Sequence, residues 1–456
     1  MTLLPVIVGA GPAGVRAAQA LAAAGVRPMV LDEAPRAGGQ IYRQPPAGFT
    51  RSKAKLYGSE HRKADAIHRA MDLLADKVDY RPGSLVWNCE DGVLDTVRDG
   101  VADSVPFTHL ILATGAADRV LPFPGWLTPG VYTLGGAQVA LKYQGCAIGT
   151  RTTFLGTGPL LYLVAYQYAR AGAQVAAVLD TSRVSGQLAA LPGMLAAPAL
   201  LARGLYYMAW LRAHGVPIET GVRPLSVQGT ERVTGLRYRD GAGREKHRDC
   251  DALGYGLALR SETQLASLAG CDFAFDARDR AWLPRRDAAG RSSVPGVYLA
   301  GDGAGIAGAD AAELAGERAA LALLQDARLP ADRARAHRLE ARLRRIDRVR
   351  DALERAFPFP TDWRIADDTV LCRCEEITAG ALREVARSGA ASELNRAKAL
   401  TRVGMGRCQG RVCGTAAAEV MSQALGVAPQ AVGRLRNQPP VKPIPVGLAS
   451  ADGARQ

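Results

Sequence analysis

Short apolar runs alternate along this chain with stretches whose apolar residues recur at helical spacing. Leu3 to Val8 is an apolar run closed by glycines, and an Ala-rich segment then continues to about Ala24. A second run, Pro28 to Leu31, ends at Asp32. The same strand–helix–strand order recurs from Thr152 to Leu155, through an apolar helix to about Arg170, and on to Gln174 to Leu179. Further apolar runs end at His109-Leu-Ile-Leu and Val297-Tyr-Leu, the latter followed by a helix from Ala311 to Leu324. Continuous apolar strands alternating with helices predict an α/β fold with parallel sheets. Between Asp332 and Phe357, Leu339, Leu343, Ile346 and Leu353 mark an amphipathic helix with a solvated Arg-, Asp- and Glu-rich face.

The glycines after the first strand carry the first chemical signal. Gly9-Ala-Gly11-Pro12-Ala13-Gly14 sits between a strand and a helix. Gly9 permits the tight turn, Gly11 lets backbone approach a pyrophosphate, and Gly14 lets helix pack on strand. The helix N-terminus then offers free N–H groups to phosphate. Asp32, with Glu33 beside it, stands about 20 residues on, where an acidic side chain accepts ribose hydroxyls.

Three more segments favour FAD over NAD at this site. Gly38-Gly39-Gln40 gives flexible backbone beside the pyrophosphate and flavin, Ala-Thr114-Gly115 ends a strand, and Gly301-Asp302-Gly303 leads into a helix facing the flavin. Their order resembles the two-dinucleotide-binding-domain flavoproteins of the glutathione and thioredoxin reductase superfamily, over about residues 1–330. That resemblance implies bound FAD, with Asp302 on the ribitol chain. It also implies a second Rossmann unit for NAD(P)H, and Gly156-Thr-Gly158-Pro-Leu-Leu161 with Asp180 occupies that place. Leu161 stands where a third glycine is expected, so the pocket is expected to be vestigial or turned to another nucleotide, with NAD(P) as the remaining candidate. Arg183 reads as an exposed loop residue. The disulfide-reducing members need a Cys-x-x-Cys beside the flavin, and residues 1–330 have none; Cys89, Cys146, Cys250 and Cys271 read as buried inert thiols.

Composition adds bounds. The 456 residues, 48% hydrophobic and 22% charged, suit a globular protein of two or three domains. The net charge of +13 raises nucleic acid as a partner. Its basic residues are scattered and not interleaved with aromatics, so no nucleic-acid partner is expected. The most apolar stretch, Leu188 to Leu211, is broken by Pro192, Pro198, Arg203 and Gly204, so no transmembrane segment is expected. It carries Tyr206, Tyr207 and Trp210, and serves either as a partner surface or as packing on its own domain. With no secretory signal read at the start of the sequence, a cytoplasmic location is expected, with membrane association only through a complex.

Past Pro358-Phe-Pro360 the composition changes. Cys372-Arg-Cys374-Glu375 and Cys408-Gln-Gly-Arg-Val-Cys413 supply four thiolates, enough for one [2Fe–2S] cluster or one zinc. The region between reads as helical over Ala379 to Arg387 and Lys398 to Met405, and the Pro-rich end, Pro439 to Pro445, as an extended surface segment. The tail phrase from Thr401 to Cys413 resembles the bacterioferritin-associated-ferredoxin-like (BFD-like) [2Fe–2S] domain.

Taken in order, these parts resemble the α (FAD) subunit of heteromeric bacterial amino-acid dehydrogenases. That family includes D-hydroxyproline dehydrogenase, opine oxidases, dye-linked proline dehydrogenases and hydrogen cyanide synthase. The resemblance implies an amino-acid-oxidase-like β subunit that oxidises the substrate, a small ferredoxin-like subunit in some complexes, and a quinone or other acceptor. No general base with a carboxylate-binding Arg accompanies the flavin motifs, which agrees with substrate oxidation elsewhere. The expected division is a first FAD segment (1–115), an inserted Rossmann domain (116–265), a second FAD segment (266–330), a helical linker (331–360), a [2Fe–2S] domain (361–435) and a Pro-rich tail (436–456). A self-sufficient NAD(P)H-dependent flavin/iron–sulfur reductase and a zinc-holding scaffold are the alternatives.

Overall fold

The computed structural model describes residues 3–46, 48–49 and 51–450. The first sheet has five parallel strands, ordered Val297–Leu299, His109–Leu112, Pro5–Val8, Met29–Asp32 and Asp79–Pro82. Pro5–Val8 is buried along its whole length, as a central parallel strand covered on both faces must be. Register pairs Val8 with both Leu31 and Leu112, so Gly9, Asp32 and Ala113 emerge together at the carboxyl edge. That edge is where open α/β sheets bind ligands.

The helices Pro12–Ala23 and Ala309–Asp326 lie against this sheet in backbone contact with each other. A Cβ on Gly316 would fall 1.9 Å from the Ala13 carbonyl oxygen, so only glycine admits the approach. The chain leaves the first unit through Ala116–Asp118 and returns through Leu259–Ser261, and these two strands pair antiparallel. Between them stands a second five-stranded parallel sheet, ordered Ile218–Thr220, Gln174–Asp180, Arg151–Thr157, Ala252–Leu257 and Val131–Thr133. The fold is thus α/β with two Rossmann-like units, as expected, followed by the linker helix Arg333–Ala356 and a small C-terminal helical unit. Asp332 caps that linker helix by accepting from Arg335 N at 2.8 Å.

The Leu188 to Leu211 stretch is helical, in two helices, Val184–Met194 and Pro198–Ala213, because Pro198 starts the second at its first turn. Two local expectations are corrected. The helix expected over Lys398 to Met405 instead spans Leu394–Thr401. Glu393 caps its start, and Arg402 (φ +67°) and Gly404 (φ +78°) turn the chain left-handed at its end. The Pro-rich end does not merely lie on the surface. Val441 is buried and donates its N–H to the Trp87 carbonyl at 3.0 Å, and Ala449–Ser450 pair in parallel with Val101 and Ala102 on an open sheet edge.

The cysteine-rich unit shares a continuous core with the inserted domain. Phe123 packs edge-on against Tyr255 and Trp363, with centroids at 5.3 and 6.1 Å. Trp363 Nε1 donates to the Pro122 carbonyl at 3.1 Å, and Trp126 Nε1 to the Val370 carbonyl at 2.8 Å. Each indole crosses the junction in the opposite sense. Replacing Trp363 with Ala removes one bond and one of the two indoles of this seam. We expect a loss of ~3–5 kcal/mol in stability, read by denaturant unfolding, with earlier proteolysis of the C-terminal unit.

Candidate functional site

The expected flavin cradle is set by backbone approach. Gly9 has φ +103°, and a Cβ there would lie 2.3 Å from the Ala113 carbonyl oxygen. A Cβ on Gly14 would fall 1.8 Å from the Gly9 carbonyl oxygen, so the helix can sit on the strand only with glycine at this position. Gly39 abuts Gly11, where a Cβ would come within 2.9 Å of the Gly11 Cα, which keeps this wall purely backbone. Helices Pro12–Ala23 and Ala309–Asp326 both start at glycines, Gly11 and Gly308, without a side-chain cap. Their first-turn N–H groups are left for an anionic or carbonyl ligand.

The remaining predicted flavin residues surround that cradle. Asp32 accepts from Ala34 N at 2.6 Å and from Ala10 N, tying the glycine loop to the strand end, and burial pushes its carboxyl upward. Pro12, Ala13 and Gly14 are buried in the first helical turn. Gly301 (φ +69°) packs on the Ala13 and Ala312 methyls, and Asp302 accepts from Ala307 N and Gly308 N, each at 2.9 Å. Burial pushes the Asp302 carboxyl up as well. Gln40 accepts from Arg43 at 2.9 Å. Glu33 points elsewhere, to an ion pair with Lys442 of the tail.

In the second unit Leu161 is fully buried in the domain core, at the position corresponding to Gly14. The next residue, Tyr162, donates its hydroxyl to Asp180 Oδ2 at 2.6 Å. Ser182 N (2.8 Å) and Gln187 Nε2 (3.3 Å) complete the carboxylate's partners. Asp180 is 0% exposed and burial pushes its pKa to about 6. A ribose at this strand end would have to displace the Tyr162 hydroxyl from a sealed carboxylate. Arg183 is exposed, as expected.

The cysteine-rich unit brings its four thiols together in two hydrogen-bonded pairs, Cys372 with Cys413 and Cys374 with Cys408. Cys372 is pulled down to about 5, first by the Cys413 bond and then by backbone N–H groups of Gly404, Glu375 and Cys374. The left-handed turn that ended the preceding helix is what aims Gly404 N–H at this sulfur. Among the described residues no group of three or more His, Cys, Asp or Glu side chains is arranged to hold a metal ion, the four cysteines included. Paired thiols with amides aimed at sulfur suit a two-iron cluster better. Cys89, Cys250 and Cys271 are buried with thiols pushed up by desolvation, Cys89 to about 12. Cys146 is exposed, contrary to expectation, because the chain turns outward at the left-handed Gly145 that ends its helix.

The two sites meet through residues that sequence reasoning missed. Thr114 Oγ1 donates to the Glu262 carbonyl at 2.6 Å, and Glu262 N to the Gly115 carbonyl at 2.9 Å. The Glu262 carboxylate accepts from Arg411 Nε at 2.7 Å, between Cys408 and Cys413 in sequence. Gln264 Nε2 reaches the Gln409 carbonyl at 2.7 Å. Arg434 stacks 3.8 Å above the Phe273 ring and donates to Ser267. Partners so far apart in sequence left no local signal.

Two outcomes follow from this geometry. Gly14→Ala should yield protein purified without flavin colour, since its methyl cannot coexist with the Gly9 carbonyl; absorbance per chain measures it. Asp180, at about 6 folded against 3.8 for the free side chain, binds its proton more tightly when folded. Its contribution therefore favours the folded state increasingly as pH falls from about 6 to about 4. The stability of wild type minus that of Asp180→Asn, from paired chemical denaturation, should rise over that window.

The profile of the pyridine nucleotide-disulphide oxidoreductase family matches residues 5–322, and that of the BFD-like [2Fe-2S] binding domain matches residues 370–423. The chain is 37% identical to an opine oxidase subunit of Agrobacterium tumefaciens (strain Ach5), over 96% of this chain and 89% of that one. It is 35% identical to hydrogen cyanide synthase subunit HcnB of Pseudomonas aeruginosa, over 98% of each. Among solved structures, L-proline dehydrogenase from P. horikoshii shares the fold at TM-score 0.71 and 21% identity, over 98% of this chain and 79% of that one. Thioredoxin reductase of T. acidophilum shares it at TM-score 0.53 and 22% identity, over 71% of this chain and 98% of that one. These matches establish FAD and a [2Fe–2S] cluster as the cofactors: the chain belongs to the pyridine nucleotide-disulphide oxidoreductase family, in the branch that holds these opine oxidase and hydrogen cyanide synthase subunits, with a BFD-like [2Fe–2S] domain.

Proposed function

We propose that this chain is the electron-transferring subunit of a heteromeric dehydrogenase that oxidises the C–N bond of an amino or imino acid on a partner β subunit. The observation that carries the reading is the direct bonding between the flavin crossover at Thr114–Glu262 and the cluster loop at Arg411. A D-hydroxyproline-like imino acid is the favoured substrate, with proline, opines and glycine as the other candidates. Which of them reacts is set by the β subunit. The names of the relatives support this: one belongs to an opine oxidase, the other to a hydrogen cyanide synthase, and each is named as a subunit.

In this reading Gly9, Gly11, Pro12, Ala13, Gly14, Asp32, Gly39, Gln40, Thr114, Gly115, Gly301 and Asp302 hold FAD. Cys372, Cys374, Cys408 and Cys413 hold the cluster. Glu33, turned to Lys442, contributes by fastening the tail beside the adenosine end. Bound FAD supplies the step between two-electron and one-electron chemistry. The protein's own residues keep the two cofactors in register: Glu262 fixes the crossover backbone, and Gln264 and Arg411 fix the cluster loop against it. The nicotinamide side plays no part, because Tyr162 seals Asp180 and Leu161 fills the helix–strand seam. Electrons leave to a quinone or another acceptor. No described helix is long and apolar enough to cross a membrane, and we place the complex in the cytoplasm.

The partner surface in this reading is the helix pair Val184–Met194 and Pro198–Ala213. It exposes Leu188 (59%), Leu195 (66%), Leu205 (51%) and Tyr206 (53%). Apolar side chains gathered on one exposed hairpin mark an interaction surface, while Tyr207 and Leu211 pack inward. The relatives' designation as subunits gives that surface an occupant, the β subunit.

Rapid-mixing spectroscopy tests the reading. Millimolar NADH or NADPH should leave the flavin oxidised. The co-purified complex should bleach flavin and cluster with an amino or imino acid, and Leu195→Glu with Tyr206→Glu should lower β-subunit recovery. Rapid bleaching by a nicotinamide, or full amino-acid turnover by the isolated chain, overturns it.

A further inference from the structure

The linker helix Arg333–Ala356 carries nine arginines against four carboxylates, on a chain whose net charge is already +13. All four carboxylates are engaged by other cations. Glu340 accepts from Arg318 at 2.8 Å, Asp347 and Asp351 both pair with Arg278 (2.6 and 3.2 Å), and Glu354 stands 3.8 Å from Arg350. From Arg333 to Arg345 the exposed positions are Arg333, Arg338, Arg342, Arg344 and Arg345, with His337 and two alanines, and none is acidic. They cover about 20 Å of helix, on the side away from the buried Ala336 and Leu339. Arg338 and Arg344 reach a carboxylate only at 3.8 Å. Arg333, Arg342 and Arg345 have no carboxylate within ion-pair distance among the described residues. Arg342 and Arg345 also border a groove of about 910 Å³ against the helix Pro12–Ala23. The acids of that groove are paired as well: Glu313 with Arg16 at 2.8 Å, Glu317 with Arg335 at 2.6 Å and Asp310 with Lys63 at 2.6 Å. The unpaired charge of this whole face is therefore positive.

We propose that this arginine face docks the protein on an anionic lipid bilayer. The exposed row holds no aromatic or large apolar side chain. It thus lacks the anchors that centre a protein interface and the rings on which nucleobases stack. A bilayer surface needs neither. Its plane of phosphates attracts cations within a Debye length, and a guanidinium donates to phosphate in a bidentate fork. A row of arginines on one side of a straight helix meets such a plane all along its length, while the net charge of +13 favours the approach. The contact is peripheral, because no described helix is long and apolar enough to cross the membrane. Its purpose rests on the electron-transfer reading above: a quinone acceptor resides in the bilayer, and docking brings the complex beside it.

The test is co-sedimentation of the full chain, and of its complex, with vesicles of phosphatidylcholine alone or mixed with phosphatidylglycerol. Wild type should sediment only with the anionic vesicles, and raised salt should release it. Combining Arg338→Gln, Arg342→Gln and Arg345→Gln should weaken binding about tenfold or more, since each cation near an anionic surface adds several-fold in affinity. Removing the same charge from the antiparallel sheet of the inserted domain, with Arg237→Gln, Arg239→Gln and Arg244→Gln, should leave binding as in wild type. Flavin absorbance and the unfolding midpoint verify each variant. Should the first triple variant fail to fold, the single Arg342→Gln and Arg345→Gln variants decide, each losing part of the binding. Wild type that ignores anionic vesicles, or equal losses from both triple variants, overturns the proposal. So does a first triple variant that sediments normally but loses the β subunit, which would mark the face as a protein interface. Sedimentation needs no substrate, so it fails independently of the electron-transfer reading, which falls instead on nicotinamide bleaching or on turnover by the isolated chain.

Discussion

The arrangement of this molecule turns on one part-buried carboxylate. Glu262 is bonded through its backbone to the flavin crossover and through its side chain to the cluster loop. An acid so placed is tolerable only because Arg411 meets it directly and Arg260 stands close by. Were its side chain apolar, the bond to Arg411 would be lost, leaving the register to the remaining contacts of the seam. The hydrogen bond of Gln264 to Gln409 and the stacking of Arg434 on Phe273 extend the same seam.

This seam works with a second one. Trp126, Trp363, Phe123 and Tyr255 fuse the cysteine-rich unit to the inserted domain, so that unit is held from two sides. The tail closes a third side, with Val441 buried, its carbonyl accepting from Arg411 and Lys442 paired to Glu33. A redox centre that exchanges electrons with a fixed neighbour gains from such rigidity, because the distance between donor and acceptor does not fluctuate. The inserted domain meanwhile turns its nucleotide machinery inward. Asp180, which in a live site would face a ribose, accepts from Tyr162, Ser182 and Gln187. The carboxylate at this strand end is thus satisfied from within its own domain.

Much of this was legible in the residues themselves. Gly9, Gly14 and Gly301 were readable because steric demands on backbone are local, and the glycines needed there have no substitute. Leu161 flagged the altered second unit for the same reason: one side chain where none fits the usual geometry. The cysteine spacing announced a metal centre, though its neighbouring helix was misplaced, since the left-handed Arg402 carries no sequence signature as Gly404 does. Cys146 was misread because burial depends on where a turn sends the chain.

What the sequence determined by itself, then, is the set of elements and the cofactor chemistry: parallel strands, phosphate-approaching glycines and four thiolates, each encoded within a few neighbouring residues. What the tertiary structure alone decided is how those parts address one another. Glu262 and Arg411 lie 149 positions apart, and Tyr162 and Asp180 lie 18 apart. Hydrogen bonds and ion pairs act over a few ångströms in space and have no fixed spacing along the chain. The bond of Tyr162 to Asp180 and the link from the crossover strand to the cysteine loop therefore became visible only once the chain was folded.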